Sequence, residues 1–162
     1  MDSAAWAAIA AFLSAIATGG LVYVAERQRR YSRAVVFVDV HDGLIEPDVQ
    51  QGRHILNRRQ PTDPAQVRAW YDEHPDERDL ANRALALFDA ACYYADKGYI
   101  DRGDFLHLWA DSMASIATQS RLFIRMRLDD QPGHDLWPNL RRTLDEVERI
   151  RPHLVRSPAG GD

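Results

Sequence analysis

The sequence predicts an all-α protein: a single N-terminal transmembrane helix followed by a small helical bundle built on an antiparallel hairpin. Three observations carry this. Ala4–Ala25, AAWAAIAAFLSAIATGGLVYVA, is a run of twenty-two residues without a charge. Two later stretches, 76–97 and 104–127, repeat apolar residues at spacings of three and four, the period of a helix with one buried face. Prolines stand at successive helix-start positions, and no two segments alternate in the way a pair of strands would.

The first element follows from length. A helix over Ala4–Ala25 is about 33 Å long at roughly 1.5 Å per residue. That matches a hydrocarbon core of roughly 30 Å. A cleaved signal peptide is the first rival, because Ala15-Ile16-Ala17 has the small-x-small form of a cleavage site. Its leading region would have to be cationic, and only Met1, Asp2 and Ser3 precede the run. A buried helix of this length needs a larger core than the rest of the chain supplies. Arg27, Arg29, Arg30 and Arg33 follow the run and Asp2 precedes it. Cationic flanks stay cytoplasmic, so the expected topology is a single pass of the inner membrane with the N-terminus outside. The same four arginines are expected to contact anionic lipid headgroups. Ala7, Ala11, Ala15 and Gly19 form a small-residue ridge, the geometry that lets two membrane helices approach. The expected partners are therefore the bilayer and either a second copy or another membrane protein.

Further elements follow in order. Ala34–Val40, AVVFVDV, is rich in β-branched residues. It has no second strand to pair with, so helix is the better reading. Glu46-Pro47-Asp48 starts a helix over about 48–59. Asp63, Pro64 and Gln66 have the form of a capping box for a helix over 64–73. In the helix over 76–97, Leu80, Ala84, Leu85, Leu87, Phe88, Ala91, Cys92 and Ala95 recur at spacings of three and four, and acids crowd its positive end. Gly98 suits a left-handed stop. Asp101 or Asp104 caps the next helix, over 104–127, with Phe105, Leu108, Trp109, Met113, Ile116, Leu122 and Phe123 inward. These two helices are expected to form a hairpin at the centre of the core. A last helix over 138–150 turns Leu140, Leu144, Val147 and Ile150 inward. The domain reading is an anchor with its basic segment over 1–33, a cytoplasmic helical domain over 34–152 and a flexible tail over 153–162.

Composition narrows the function. Residues 1–33 carry a net charge of +2 and residues 34–162 a net charge of −6. An acidic domain of this kind argues against nucleic-acid binding. Cys92 is the lone cysteine, so no intrachain disulfide can form.

Candidate chemistry is sparse. Tyr93–Asp104, YYADKGYIDRGD, places Gly98 and Ile100 as in a calcium loop. Tyr93, Ala95 and Lys97 stand where the early oxygen ligands belong, so a helix–turn–helix hairpin is the better reading. The six histidines form no HxxxH pair, and no metal or cofactor is implied. His107 shares a helix face with Asp111, and Asp104 lies one turn earlier, a set that could orient an imidazole for acid–base work. Cys92 lies on the apolar face of its helix, which suits burial. Arg53, Arg58 and Arg59 form one basic group, which could grip a phosphate or an acidic partner. Arg121 and Arg125 share a helix face and could contact an anion or an acidic partner.

The N-terminal run, the basic ERQRRYSR and the hairpin ALALFDAACYYADKGYIDRGDFLHLW together resemble an uncharacterised family of small bacterial membrane-anchored helical proteins. Gly98, Ile100, Asp101, Phe105 and Trp109 carry the resemblance, over about 80–125. It implies an all-helical cytoplasmic domain and no catalytic residues. The expected function is a non-enzymatic membrane-anchored interaction or scaffold protein, as an oligomer or an accessory subunit of a membrane complex. One alternative is a membrane effector or small channel of a stress or phage-defence system, with Ser14 and Thr18 lining the pore. The other is an enzyme using His107 with Asp111 or Asp104.

Overall fold

The structure, a computed structural model, describes the backbone of residues 3–58 and 63–152 and, within the first helix, the side chains of Thr18 and of Leu21 onward. Six helices follow one another: α1 Ser3–Ile45, α2 Pro47–Asn57, α3 Pro64–Glu73, α4 Pro75–Asp96, α5 Arg102–Asp130 and α6 Pro138–Ile150. No strand occurs among the described residues, and Ala34–Val40 is helical. Contacts divide the chain into two units, 1–36 and 37–162.

In the first unit the described side chains from Leu21 to Ser32 are all exposed. The membrane expectation needs correction here. Among the described residues no helix is long and apolar enough to cross a membrane. The described apolar stretches of α1, Leu21–Ala25 and Ala34–Val38, are short, and Glu26, Arg27, Arg29, Arg30 and Arg33 separate them on the same helix. Charges at that density are costly in hydrocarbon. The transmembrane helix, the single-pass inner-membrane topology, the bilayer as partner and the channel reading are therefore not supported. The side chains of Ala7, Ala11, Ser14 and Ala15, and the surroundings of Gly19, lie outside the described residues. Arg27, Arg29 and Arg30 are exposed and Arg33 is partly so. Arg30 Nε lies 3.2 Å from Glu26 one turn back, an ordinary pair along a solvated helix.

The second unit is a compact all-helical domain. Its α1 segment lays Leu44 fully into the core and half-buries Phe37, Val40 and His41. α2 approaches α4 most closely, and Gly52 permits it. A methyl group there would sit 2.2 Å from the Leu80 carbonyl oxygen and 2.9 Å from Ala84 Cβ. Gly52 looks like a weakness when the helix is read alone. It is the contact point of the tightest helix pair. α3 docks on α5 through Tyr71, whose ring meets Phe123 edge-on at 4.9 Å. Asp63 sits at the start of α3, but its side chain makes no capping bond.

The hairpin expectation also needs correction. α4 and α5 are joined by a short turn, yet each packs more extensively on α6 than on the other. Phe88 and Trp109 meet edge-on at 6.0 Å, and side chains of that size hold the two helices apart. α2 and α6 come closer and close the core with Val49, Leu56, Leu140, Leu144 and Val147. Leu108 and Ile150, expected inward, are exposed. The buried stripe of α5 runs through Phe105, Trp109, Met113 and Ile116, and Leu108 falls outside it. Ile150 is the last residue of α6.

α6 starts on a contact from another helix. Asp89, in the middle of α4, accepts the backbone N–H groups of Asn139 at 2.8 Å and Leu140 at 2.9 Å, and the Asn139 side-chain amide at 3.1 Å. A carboxylate at a helix N-terminus satisfies orphan donors and faces the positive end of the dipole. Trp137 precedes the helix with φ 49° and ψ 52°, a left-handed conformation unusual for a residue other than glycine. The Asp89 cap and the Trp137–Phe123 ring contact at 6.1 Å hold it there.

Candidate functional site

The turn between α4 and α5 is built to project aromatic rings. α4 ends at Asp96, and Gly98 takes φ 70°, where a side chain would be strained. The backbone N–H groups of Tyr99 and Ile100 then both donate to the Tyr94 carbonyl, at 2.9 and 3.3 Å. Ile100 is buried in the core and pins the loop. Asp101 caps α5 by accepting from the Asp104 N–H at 3.0 Å. With its ends fixed, the turn leaves Tyr93, Tyr94 and Tyr99 exposed. Tyr94 lies in ring contact with both others, at 5.9 Å to Tyr93 and 6.0 Å to Tyr99. The Lys97 ammonium stands 5.7 Å from the Tyr93 ring centroid, within cation–π range.

Beside the rings lies an open cleft of about 560 Å³, lined by Tyr93, Asp96, Lys97, Arg102, Asn139 and Arg142 among others. Its arginines and acids are closed on one another. Arg102 pairs with Asp96 of α4 and Glu146 of α6. Arg142 reaches Asp96 at 3.4 Å and the Asn139 side-chain oxygen at 2.8 Å. The hydrogen bond to Glu146 is the main cause that raises the Arg102 pKa. This network joins three helices and engages the cleft carboxylate Asp96 with two arginines.

Cys92 lies under the same helices and is fully buried. Desolvation first, offset in part by a hydrogen bond with Thr143, pushes its thiol up to about 12. Thiolate chemistry at neutral pH is therefore closed to it.

The other residues singled out by sequence lie elsewhere. His107 is exposed and does not line the cleft beside the tyrosine turn. Asp111 accepts from Arg151 Nε at 3.0 Å, and Asp104 contributes its backbone N–H to the α5 cap. Arg121 is clamped by Asp145 at 3.0 Å and Glu148 at 2.7 Å, both on α6, while Arg125 is exposed. Arg58 pairs with Glu77 at 3.3 Å, and Arg59 lies outside the described residues. Arg53 enters a second cleft, between α2 and α5. Among the described residues no group of His, Cys, Asp and Glu side chains is suited to hold a metal.

Sequence reading passed over the tyrosines. The signal was present as a tyrosine pair and a third tyrosine bracketing Gly98, but exposure depends on Ile100 taking the inward position. The expected likeness to a membrane-anchored family is corrected as well: Gly98, Ile100, Asp101, Phe105 and Trp109 meet ordinary turn, cap and core requirements that any helical hairpin shares. No family model, curated protein or solved structure matches the chain.

Proposed function

We propose that the helical domain is a non-enzymatic interaction module whose contact surface is the tyrosine-bearing turn between α4 and α5. The observation that carries this is the exposed, mutually touching Tyr93, Tyr94 and Tyr99 on a turn fixed by Ile100, Gly98 and Asp101. Tyrosine offers a large amphipathic area with few rotatable bonds, so little entropy is lost when a partner covers it. Aromatic residues are enriched at protein interfaces for that reason. The acid–base alternative is less well supported, because His107 is exposed and Asp111 is engaged by Arg151.

A photo-crosslinking residue in place of Tyr99 in the full chain, expressed in its native cells, tests this. A discrete adduct is expected, lost when Tyr93 and Tyr94 are replaced by alanine. The same residue placed at exposed Asp76 should give none. Equal labelling from both positions, or none from Tyr99, defeats the proposal.

A further inference from the structure

Arginines of the bundle commonly meet an acid: Arg58, Arg68, Arg83, Arg102, Arg121 and Arg151 each face a carboxylate. Arg53 has none among the described residues. It follows Gly52, the point where α2 is pressed against α4, so its backbone is fixed. Its guanidinium lies 5.2 Å from the Trp109 ring centroid, and Nη1 donates to Ser112 Oγ at 2.9 Å. Nε is buried with no hydrogen-bond partner among the described residues, as is Asn57 Oδ1 one turn on. Desolvation lowers the Arg53 pKa, and no acidic neighbour counters it. The charge is thus oriented, partly stripped of water and without a counter-ion among the described residues.

A cleft of about 470 Å³ opens beside it, between α2 and α5. Gln51, His54, Asn57, Ser112 and Ser115 are among its lining residues, and none of the lining residues is a carboxylate. That volume falls within the range of small-molecule sites, roughly 300–1,000 Å³. We propose that this cleft binds a small free carboxylate, held by the Arg53 guanidinium and the Ser112 hydroxyl. Ser112 Oγ already accepts from Arg53, so its own proton is left to donate to the anion. A single fixed guanidinium matches a carboxylate in charge and in planar shape. Neutral amides and hydroxyls around it suit the rest of such a molecule. The site is separate from the tyrosine turn and does not depend on it.

Titration of the full-length protein with sodium succinate, followed through the Trp109 indole N–H resonance, tests the assignment. Sodium chloride at matched ionic strength and sodium phosphate serve as the other arms. A saturable shift with succinate alone is expected. Arg53→Met should weaken it at least about tenfold, the effect of losing one charge-assisted contact. Ser112→Ala, which keeps the cation, should weaken it less, by about threefold. Failure to saturate by roughly 20 mM, a millimolar limit on useful affinity, overturns the proposal. So does tighter binding of phosphate than succinate, or a response undiminished in either variant. Should Arg53→Met not fold, the Ser112→Ala titration alone decides in the same terms.

Discussion

Two clefts of similar size in one small bundle treat arginine in opposite ways. Beside the α4–α5 turn, Arg102 and Arg142 share Asp96, and Arg102 also holds Glu146. Between α2 and α5, Arg53 rests on Trp109 and Ser112 with no acid paired to it among the described residues. In the first cleft the arginines and acids face one another and act as a clamp between helices. In the second the folded chain holds a cation in position and leaves it unneutralised. Partly buried charges are normally paired because desolvation is costly. A fixed, unpaired one is therefore a better indicator of a ligand than a closed network of the same composition.

The largest effects come from changes that remove the framework of one cleft. Gly52→Ala drives a methyl into the Leu80 carbonyl at 2.2 Å, a backbone contact that cannot rotate away. A loss of about 3 kcal/mol or more is expected in urea denaturation, at the upper end for overpacking. A loss under about 1 kcal/mol would mean that α2 shifts freely, and that Arg53 is not held as described. Asp89→Ala acts on the other cleft, since it strips the cap from α6 and so loosens Asn139, Arg142 and Glu146. A cost of about 2 kcal/mol is expected, as three bonds to a carboxylate are lost. Asp89→Asn, which keeps an acceptor, should cost about half as much.

Cys92 provides a probe of the closed side. Its thiol is raised from 9.0 to about 12 by burial, so the folded state favours the neutral form. The stability it contributes is complete below the unfolded pKa and is lost as pH rises from about 9 towards about 12. The expected slope in that window is about 1.4 kcal/mol per pH unit, and Cys92→Ala should abolish it. Aromatic disulfide reagents at pH 8 should leave the native thiol unmodified. Rapid labelling at that pH would show the α4–α6 side to open readily.

Much of the helix pattern was legible because it is local. Pro64 and Pro138 mark the starts of α3 and α6 at the expected residues, and Gly98 marks the turn after α4. The role of Gly52 is not legible in its own helix because it lies in the close approach to Leu80, on another helix. The α4–α5 pairing was overrated for a similar reason: sequence proximity says nothing about α6 lying closer. The uncharged N-terminal run suggested a span, but hydropathy over a window does not describe a helix that continues through Glu26 and four arginines to Ile45. Arg53 is legible in the sequence only as one of three arginines able to grip a phosphate or an acidic partner. Its isolation from acids appears once Arg58 is seen to turn to Glu77 while Arg53 turns to Trp109.

The smallest effect tests the comparison most directly. Arg102→Met removes the clamp and leaves Asp96 and Glu146 without their shared cation. The Arg102 side chain is 35% exposed, so solvent screening limits the cost to about 1 kcal/mol. That cost should shrink in about 1 M salt, where the Debye length falls to roughly 3 Å. Arg53→Met keeps an unbranched side chain over Trp109 and places a polarizable sulfur near the ring, while a partly desolvated charge disappears. The lost Ser112 bond and the relieved desolvation oppose each other, so stability should stay within about 0.5 kcal/mol of the original. If Arg53→Met instead destabilises the domain as much as Arg102→Met, Arg53 is a structural arginine like the others. The contrast between the clefts then collapses. If stability holds while Arg102→Met loses its expected amount, the two arginines differ in kind, and the charge at Arg53 serves something other than the fold.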